Sequence, residues 1–339
     1  MTHRLLSVIT RKYLRYFSSD VKPEKYPHSL IGRRYLEPTD FTDEELKSLI
    51  WTANEFKSIS NDEYNHNNLE NKSITFLLSA PDIHFQCALY NASKFLGLPV
   101  KVVVDPKWES WQFPEDVGRI LGKTCDVIFL LSFYHSKALA LAAGASVPVI
   151  VISDKRFANL RTLSDIFTIR EHFGYLENLT ISWVGSPTQL INTYLLTMPR
   201  FGMKLKYFCC HLYGERVSPV TAHAARNLGK PFKDNCQEAS CFDDALKQSK
   251  ILVMGNNLGG LKQINEQNCK AADHNFYIFH NMPRTEFEIC SEIFQSKRNL
   301  TWPSYRNYEW LLAAFIVRSL VDYKHITKAP NFAEIKNVK

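Results

Sequence analysis

The chain is 339 residues long, 45% hydrophobic and 22% charged. These proportions are ordinary for a globular protein and exclude disorder, collagen and coiled coil over most of its length. The net charge is +7, but Arg4, Arg11, Lys12 and Arg15 supply more than half of it before residue 20, and the rest forms no basic block with interleaved aromatics, so nucleic-acid binding is not expected.

No apolar run of about 18 residues is free of charge, so no membrane span is expected either. Only 13 glycines are present, which argues against several glycine-rich phosphate loops. The eight cysteines are Cys87, Cys125, Cys209, Cys210, Cys236, Cys241, Cys269 and Cys290. None lies in a Cys-x-x-Cys pair, so reduced thiols are expected, with no metal site and no cofactor.

Residues 1–19 are rich in arginine, free of acid and amphipathic as a helix, with Leu6, Ile9, Tyr13 and Phe17 toward one side. That pattern predicts a mitochondrial transit peptide, followed by a linker over 20–28, with the mature protein in the matrix. Thr42 and Glu45 form a capping-box pattern with Phe41 and Leu46 as a hydrophobic staple, which starts a helix.

Beyond a polar, Asn-rich loop at 60–72, strands and helices alternate. Strands are predicted at 73–78, 100–104, 127–131 and 147–152, with helices at 85–96, 114–121 and 135–143. After a helix at 163–173 the alternation restarts, with strands at 179–184, 204–209, 251–254 and 275–279 and helices at 188–201 and 219–228. A long helix over 305–323 ends the body. Continuous apolar strands alternating with helices predict two doubly wound parallel-sheet α/β domains joined by helices.

Several segments resemble the ornithine carbamoyltransferases. Leu30-Ile31-Gly32-Arg33 with Phe41-Thr42 and Glu45-Leu46 is similar to the family's opening. The stretch from Leu163 to Phe173 resembles the linking helix, Leu179 to Gly185 and Phe201 to Leu205 the first strands of the second domain, and His280-Asn281-Met282-Pro283-Arg284 the His-Cys-Leu-Pro-Arg motif. Trp302-Pro303 and Trp310 to Tyr323 resemble the end. The resemblance implies a carbamoyl-phosphate-binding domain at 29–162, an ornithine-binding domain at 163–304, a helix at 305–325 packing back on the first domain, a tail at 326–339, and a homotrimer.

It also implies a site at which guanidinium forks hold a phosphate dianion. The family's Ser-Thr-Arg-Thr-Arg turn corresponds here to Ser79-Ala80-Pro81-Asp82-Ile83-His84, in which Ser79 is kept and the arginines are gone; no arginine occurs between Arg34 and Arg119. His84 in this turn is either a new ligand or a surface residue. The arginine after the third strand is absent near Leu131-Ser132, and the His-Pro-x-Gln motif is absent near Phe157 to Leu160. The acceptor-binding aspartate is replaced in Gly255 to Gly260, and the family's late arginine coincides with Tyr308. Arg161 either reaches an anion or is an exposed residue at a helix start. Ser79, Gln189, Arg161 and Arg306 are the candidate substrate-binding residues, although Ser79 and Asp82 also suit helix capping. His280 and Arg284 are the candidate catalytic remnants, with His280 either polarising a carbonyl or serving structurally.

A hydrogen bond to a charged group contributes about 1.5–3 kcal/mol. Losing three or more arginines therefore forfeits on the order of 5–9 kcal/mol, roughly 10⁴–10⁶ in binding or rate. The expectation is an ornithine carbamoyltransferase-like mitochondrial protein that is inactive or strongly impaired and serves as a binding or structural protein. The alternatives are an active carbamoyltransferase with a rebuilt phosphate site, joining carbamoyl phosphate to ornithine or another amino acid, and a subunit of a larger mitochondrial assembly.

Overall fold

The computed structural model describes residues 29–59, 69–209, 217–255 and 261–333. The expected transit peptide at 1–19, the linker at 20–28 and the last residues of the tail lie outside them. Among the described residues no helix is long and apolar enough to cross a membrane.

The first lobe opens with α1 (Asp43–Ser58). Its start follows from the sequence: the Thr42 hydroxyl accepts from the Glu45 N–H at 3.2 Å, and Glu45 Oε2 accepts from the Thr42 N–H at 2.7 Å. The same carboxylate also accepts from Arg33 at 2.7 Å, tying the entering chain to the helix. Then come β1 (Ile74–Leu78), α2 (Ile83–Leu96), β2 (Val100–Val104), α3 (Pro114–Leu121), β3 (Val127–Leu131), α4 (His135–Gly144) and β4 (Val149–Ser153). The four strands form one parallel sheet in the order β2-β1-β3-β4. Phe76 on β1 pairs in register with Phe129 on β3, and their rings stack with centroids 4.5 Å apart.

Helix α5 (Asn159–Phe173) leads into the second lobe, which holds β5 (Thr180–Gly185), α6 (Gln189–Thr197), β6 (Lys204–Cys209), α7 (Pro219–Asn227), α8 (Lys230–Asn235), β7 (Cys236–Glu238), α9 (Phe242–Leu246), β8 (Ile251–Met254), β9 (Tyr277–His280) and α10 (Ser291–Phe294). Its parallel sheet runs β7-β6-β5-β8-β9. The expected fold class, two doubly wound parallel-sheet lobes, is what the chain adopts. The three-residue β7 (Cys-Gln-Glu) lacks a strand pattern; it pairs with β6, and its Cys236 packs against the apolar core.

Helix α11 (Thr301–Leu320) packs against α1, α2 and α5. It begins earlier than residue 305, because Asn299 Oδ1 accepts from the Thr301 N–H at 2.8 Å and Pro303 falls in the first turn, where no intrahelical donor is missed. At its other end Ser319 O accepts from the Gly32 N–H at 3.2 Å, returning the helix to the first lobe. Among the described residues no two cysteines are joined in a disulfide.

Helices α3 and α4 meet backbone to backbone. A Cβ on Gly118 would lie 2.0 Å from Leu141 O, and one on Gly144 would lie 2.0 Å from Glu115 O. Only glycine allows that approach, and forcing the helices apart costs typically 1–3 kcal/mol. Gly118→Ala and Gly144→Ala are therefore each expected to lower the unfolding free energy by about 1–3 kcal/mol, read as a lower urea midpoint with an unchanged slope.

Candidate functional site

A cavity of about 450 Å³ opens between the lobes. The start of α2 contributes Asp82 and His84, the ends of β3 and β4 contribute Leu131 and Ser153, and the second lobe contributes Gln189 and Asn281. Arg161 on α5 and Tyr305 and Tyr308 on α11 complete the wall between them.

Arg161 is the one arginine or lysine among the described residues lining this cavity. The reading of it as an exposed residue at a helix start is overturned: its side chain is 8% exposed. The physical reason is Asp165, one turn on and fully buried, whose two carboxylate oxygens both accept from Arg161 Nε at 2.9 Å. One Arg161 Nη donates to the His280 carbonyl at 3.3 Å, and the guanidinium lies 4.6 Å from the Tyr305 ring centroid. Burial opposes the charge of Arg161. Asp165, followed by Tyr308, Tyr305 and Tyr194, outweighs it, so the guanidinium pKa is raised well above the ordinary value. Asp165 also accepts from the Tyr194 hydroxyl at 2.6 Å and the Ser304 hydroxyl at 2.5 Å.

The other candidates fall around this pair. Gln189 lines the cavity at the start of α6, which Thr188 caps by accepting from the Leu190 N–H at 3.3 Å. Ser79 is not among the lining residues; its hydroxyl donates to Glu109 and accepts from Trp108 Nε1 at 3.0 Å. Asp82 caps α2, its Oδ1 accepting from the Phe85 N–H at 2.8 Å, and presents a carboxylate at the cavity edge. His84 is exposed, and its ring stacks on Tyr305 at 4.4 Å.

His280 has a fully buried side chain with Nε2 3.2 Å from Glu288 and its ring edge-on to Phe294. Burial lowers its pKa, against Glu288, which raises it. Arg284 donates to the Ser291 hydroxyl at 3.2 Å and lies over the Phe294 ring at 4.4 Å, while Arg306 is exposed on α11. None of these three lines the cavity, whereas Asn281, Met282 and Pro283 do. The loop at 256–260, read as the acceptor-binding segment, lies outside the described residues. Sequence reasoning does not single out Asp165; the one signal for it is its spacing four residues after Arg161 on a helix.

Comparison with known proteins agrees with this architecture. Residues 33–171 match the family described as "Aspartate/ornithine carbamoyltransferase, carbamoyl-P binding domain". The chain is 24% identical over 325 residues to the mitochondrial ornithine transcarbamylase of Gallus gallus, covering 91% of this chain and 92% of that one. It is 24% identical over 320 residues to the mitochondrial ornithine carbamoyltransferase of Aquarana catesbeiana, covering 89% and 91%. Residues 33–171 thus match that family's carbamoyl-P binding domain, and the chain as a whole is similar to ornithine carbamoyltransferases over most of its length. Among solved structures, the ornithine carbamoyltransferase from Pyrococcus furiosus superposes with a TM-score of 0.79 at 19% identity, covering 87% of this chain and 99% of that one. The enzyme from Gloeobacter violaceus superposes with a TM-score of 0.75 at 20% identity, covering 86% and 99%. At such identities these superpositions establish the shared fold.

Breaking a buried ion pair by removing one partner typically costs about 3–5 kcal/mol, because a charge is left uncompensated in the interior. Asp165→Ala strands Arg161 in this way and also removes the acceptor for Tyr194 and Ser304. A loss of about 3–5 kcal/mol is expected, checked by chemical denaturation.

Proposed function

We propose that the chain is a member of the aspartate/ornithine carbamoyltransferase family that keeps the carbamoyltransferase fold and cleft but has lost carbamoyl transfer from carbamoyl phosphate to ornithine, or retains it only weakly, and serves as a binding or structural protein. The observation that carries this reading is the pairing of Arg161. Among the described residues it is the cleft's one arginine or lysine, and its Nε is committed to Asp165 at 2.9 Å. A phosphoryl dianion entering beside it meets a cation already neutralised, with Asp82 adding negative charge at the edge. Ser79, Gln189, Arg161 and Arg306 remain proposed ligand contacts, and His280 and Arg284 proposed catalytic remnants. The placements of Gln189 and Arg161 in the cavity wall favour those two over the rest.

A second reading, an active carbamoyltransferase with a rebuilt phosphate site, is favoured by that same placement of Arg161 and Gln189 in the wall. On it, carbamoyl phosphate and an amino acid occupy the cleft, and Arg161 exchanges Asp165 for the phosphate. We propose further that the chain is mitochondrial, in keeping with its similarity to the mitochondrial proteins of Gallus gallus and Aquarana catesbeiana, and that it assembles as a homotrimer or within a larger assembly. Apolar side chains at the first lobe's edge support assembly: Val102 and Val104 on β2 are 44% and 42% exposed, and Trp111 and Phe113 beyond it are 45% and 58% exposed.

The purified chain, supplied with carbamoyl phosphate and ornithine, is expected to form no citrulline above the uncatalysed background. Robust, enzyme-dependent turnover would establish the second reading in place of the first.

A further inference from the structure

The strand order β2-β1-β3-β4 places a topological switch point between β1 and β3. In open parallel α/β sheets, ligands are taken up in the crevice outside the carboxyl ends of the strands at such a point. Three hydrogen-bond donors converge there. One is the hydroxyl of Ser79, the residue directly after β1. The others are the consecutive N–H groups of Phe133 and Tyr134, between β3 and α4. Successive backbone N–H groups form a concavity suited to an anion, and the N-terminus of α4 adds its partial positive charge.

All three donors are already engaged by one side chain. Glu109 sits on the short 3₁₀ turn Pro106–Ser110 that follows β2, and it is buried. Its Oε1 accepts from the Ser79 hydroxyl and from the Phe133 N–H at 2.7 Å, and its Oε2 accepts from the Tyr134 N–H at 3.2 Å. The direction of the Ser79 bond is settled by Trp108: its indole N–H, a donor only, points at the same hydroxyl oxygen at 3.0 Å and leaves the hydroxyl proton for the carboxylate. Asp105 fixes the turn by accepting from the Lys107 N–H at 2.9 Å, and Trp108 is buried beside Glu109. The site adjoins the cleft, since the Ser79 N–H donates at 2.9 Å to the carbonyl of Leu131, which lines it.

We infer that Glu109 is a resident anion: its carboxylate fills the donor set in which this sheet would otherwise hold a phosphoryl group, and so it determines that the cleft rejects tetrahedral oxyanions. The inference rests on the reading of the cleft as one that no longer supports transfer from carbamoyl phosphate, and it names a cause beyond missing arginines. The donors at the strand ends are present and taken, and the group that takes them repels a second anion.

The test compares the full-length wild type with Glu109→Ala and Glu109→Gln, using inorganic phosphate as the probe, with calorimetry for affinity, thermal melting for stabilisation and circular dichroism for folding. Glu109→Ala leaves three donors without their acceptor, so it is expected to melt lower than the wild type and to be restored by millimolar phosphate, as a ligand specific to the native state must do. Its affinity for phosphate is expected to exceed that of the wild type by at least about tenfold, a difference of about 1.4 kcal/mol. Glu109→Gln keeps the side-chain bulk, but its amide opposes the N–H donors; a smaller gain in the same direction is expected, and this variant decides the matter if the alanine variant does not fold. Folded variants that bind phosphate no more tightly than the wild type would overturn the role of Glu109 and leave the proposed function standing. Citrulline formation by the wild type would overturn the proposed function without bearing on the comparison of variants.

Discussion

The Arg161–Asp165 pair is the interaction around which the two lobes are organised. Asp165 accepts from Arg161 on its own helix, from Tyr194 on α6 and from Ser304 on α11. Three helices thus converge on one buried carboxylate, and each donor satisfies part of what burial of that charge demands. Arg161 in turn reaches the His280 carbonyl at the end of β9 and the face of Tyr305. A guanidinium bound in this way acts as part of the scaffold. Its charge is compensated where a cleft designed for phosphate would leave it unpaired.

The frame itself stands apart from this chemistry. The first lobe is filled by side chains such as Phe76 and Phe129, stacked across adjacent strands, and by the glycine contact between α3 and α4. The second packs Trp183 on β5 edge-on to Tyr194, inside the same apolar core as α11. None of these contacts needs a ligand, so the fold does not depend on which residues stand at the strand ends, and the fold alone does not specify a reaction.

Much of that frame was legible in the sequence, because the strands are continuous apolar runs and α1 carries a complete capping box. The strands at 100–104, 127–131, 204–209 and 251–254 begin and end at the residues expected. The elements without a sequence signal are held by tertiary context: β7 is a three-residue segment with two polar residues, given strand geometry by β6, and Glu109 lies in a turn whose spacing gives no hint that its carboxylate faces inward. The candidate site was approached in the sequence through arginines expected from the resemblance and not found, since arginines can be counted along a chain. The compensating groups were not legible, because an arginine four residues from an aspartate reads the same on an exposed face as on a buried one.

The central claim is electrostatic: among the described residues, the cleft offers a phosphoryl dianion no arginine or lysine that is not already paired with a carboxylate. The most direct test is a calorimetric titration of the full-length protein with carbamoyl phosphate at low ionic strength, where attraction between charges is least screened. The account predicts no saturable heat at millimolar ligand. A saturable isotherm with a dissociation constant in the micromolar range would contradict it.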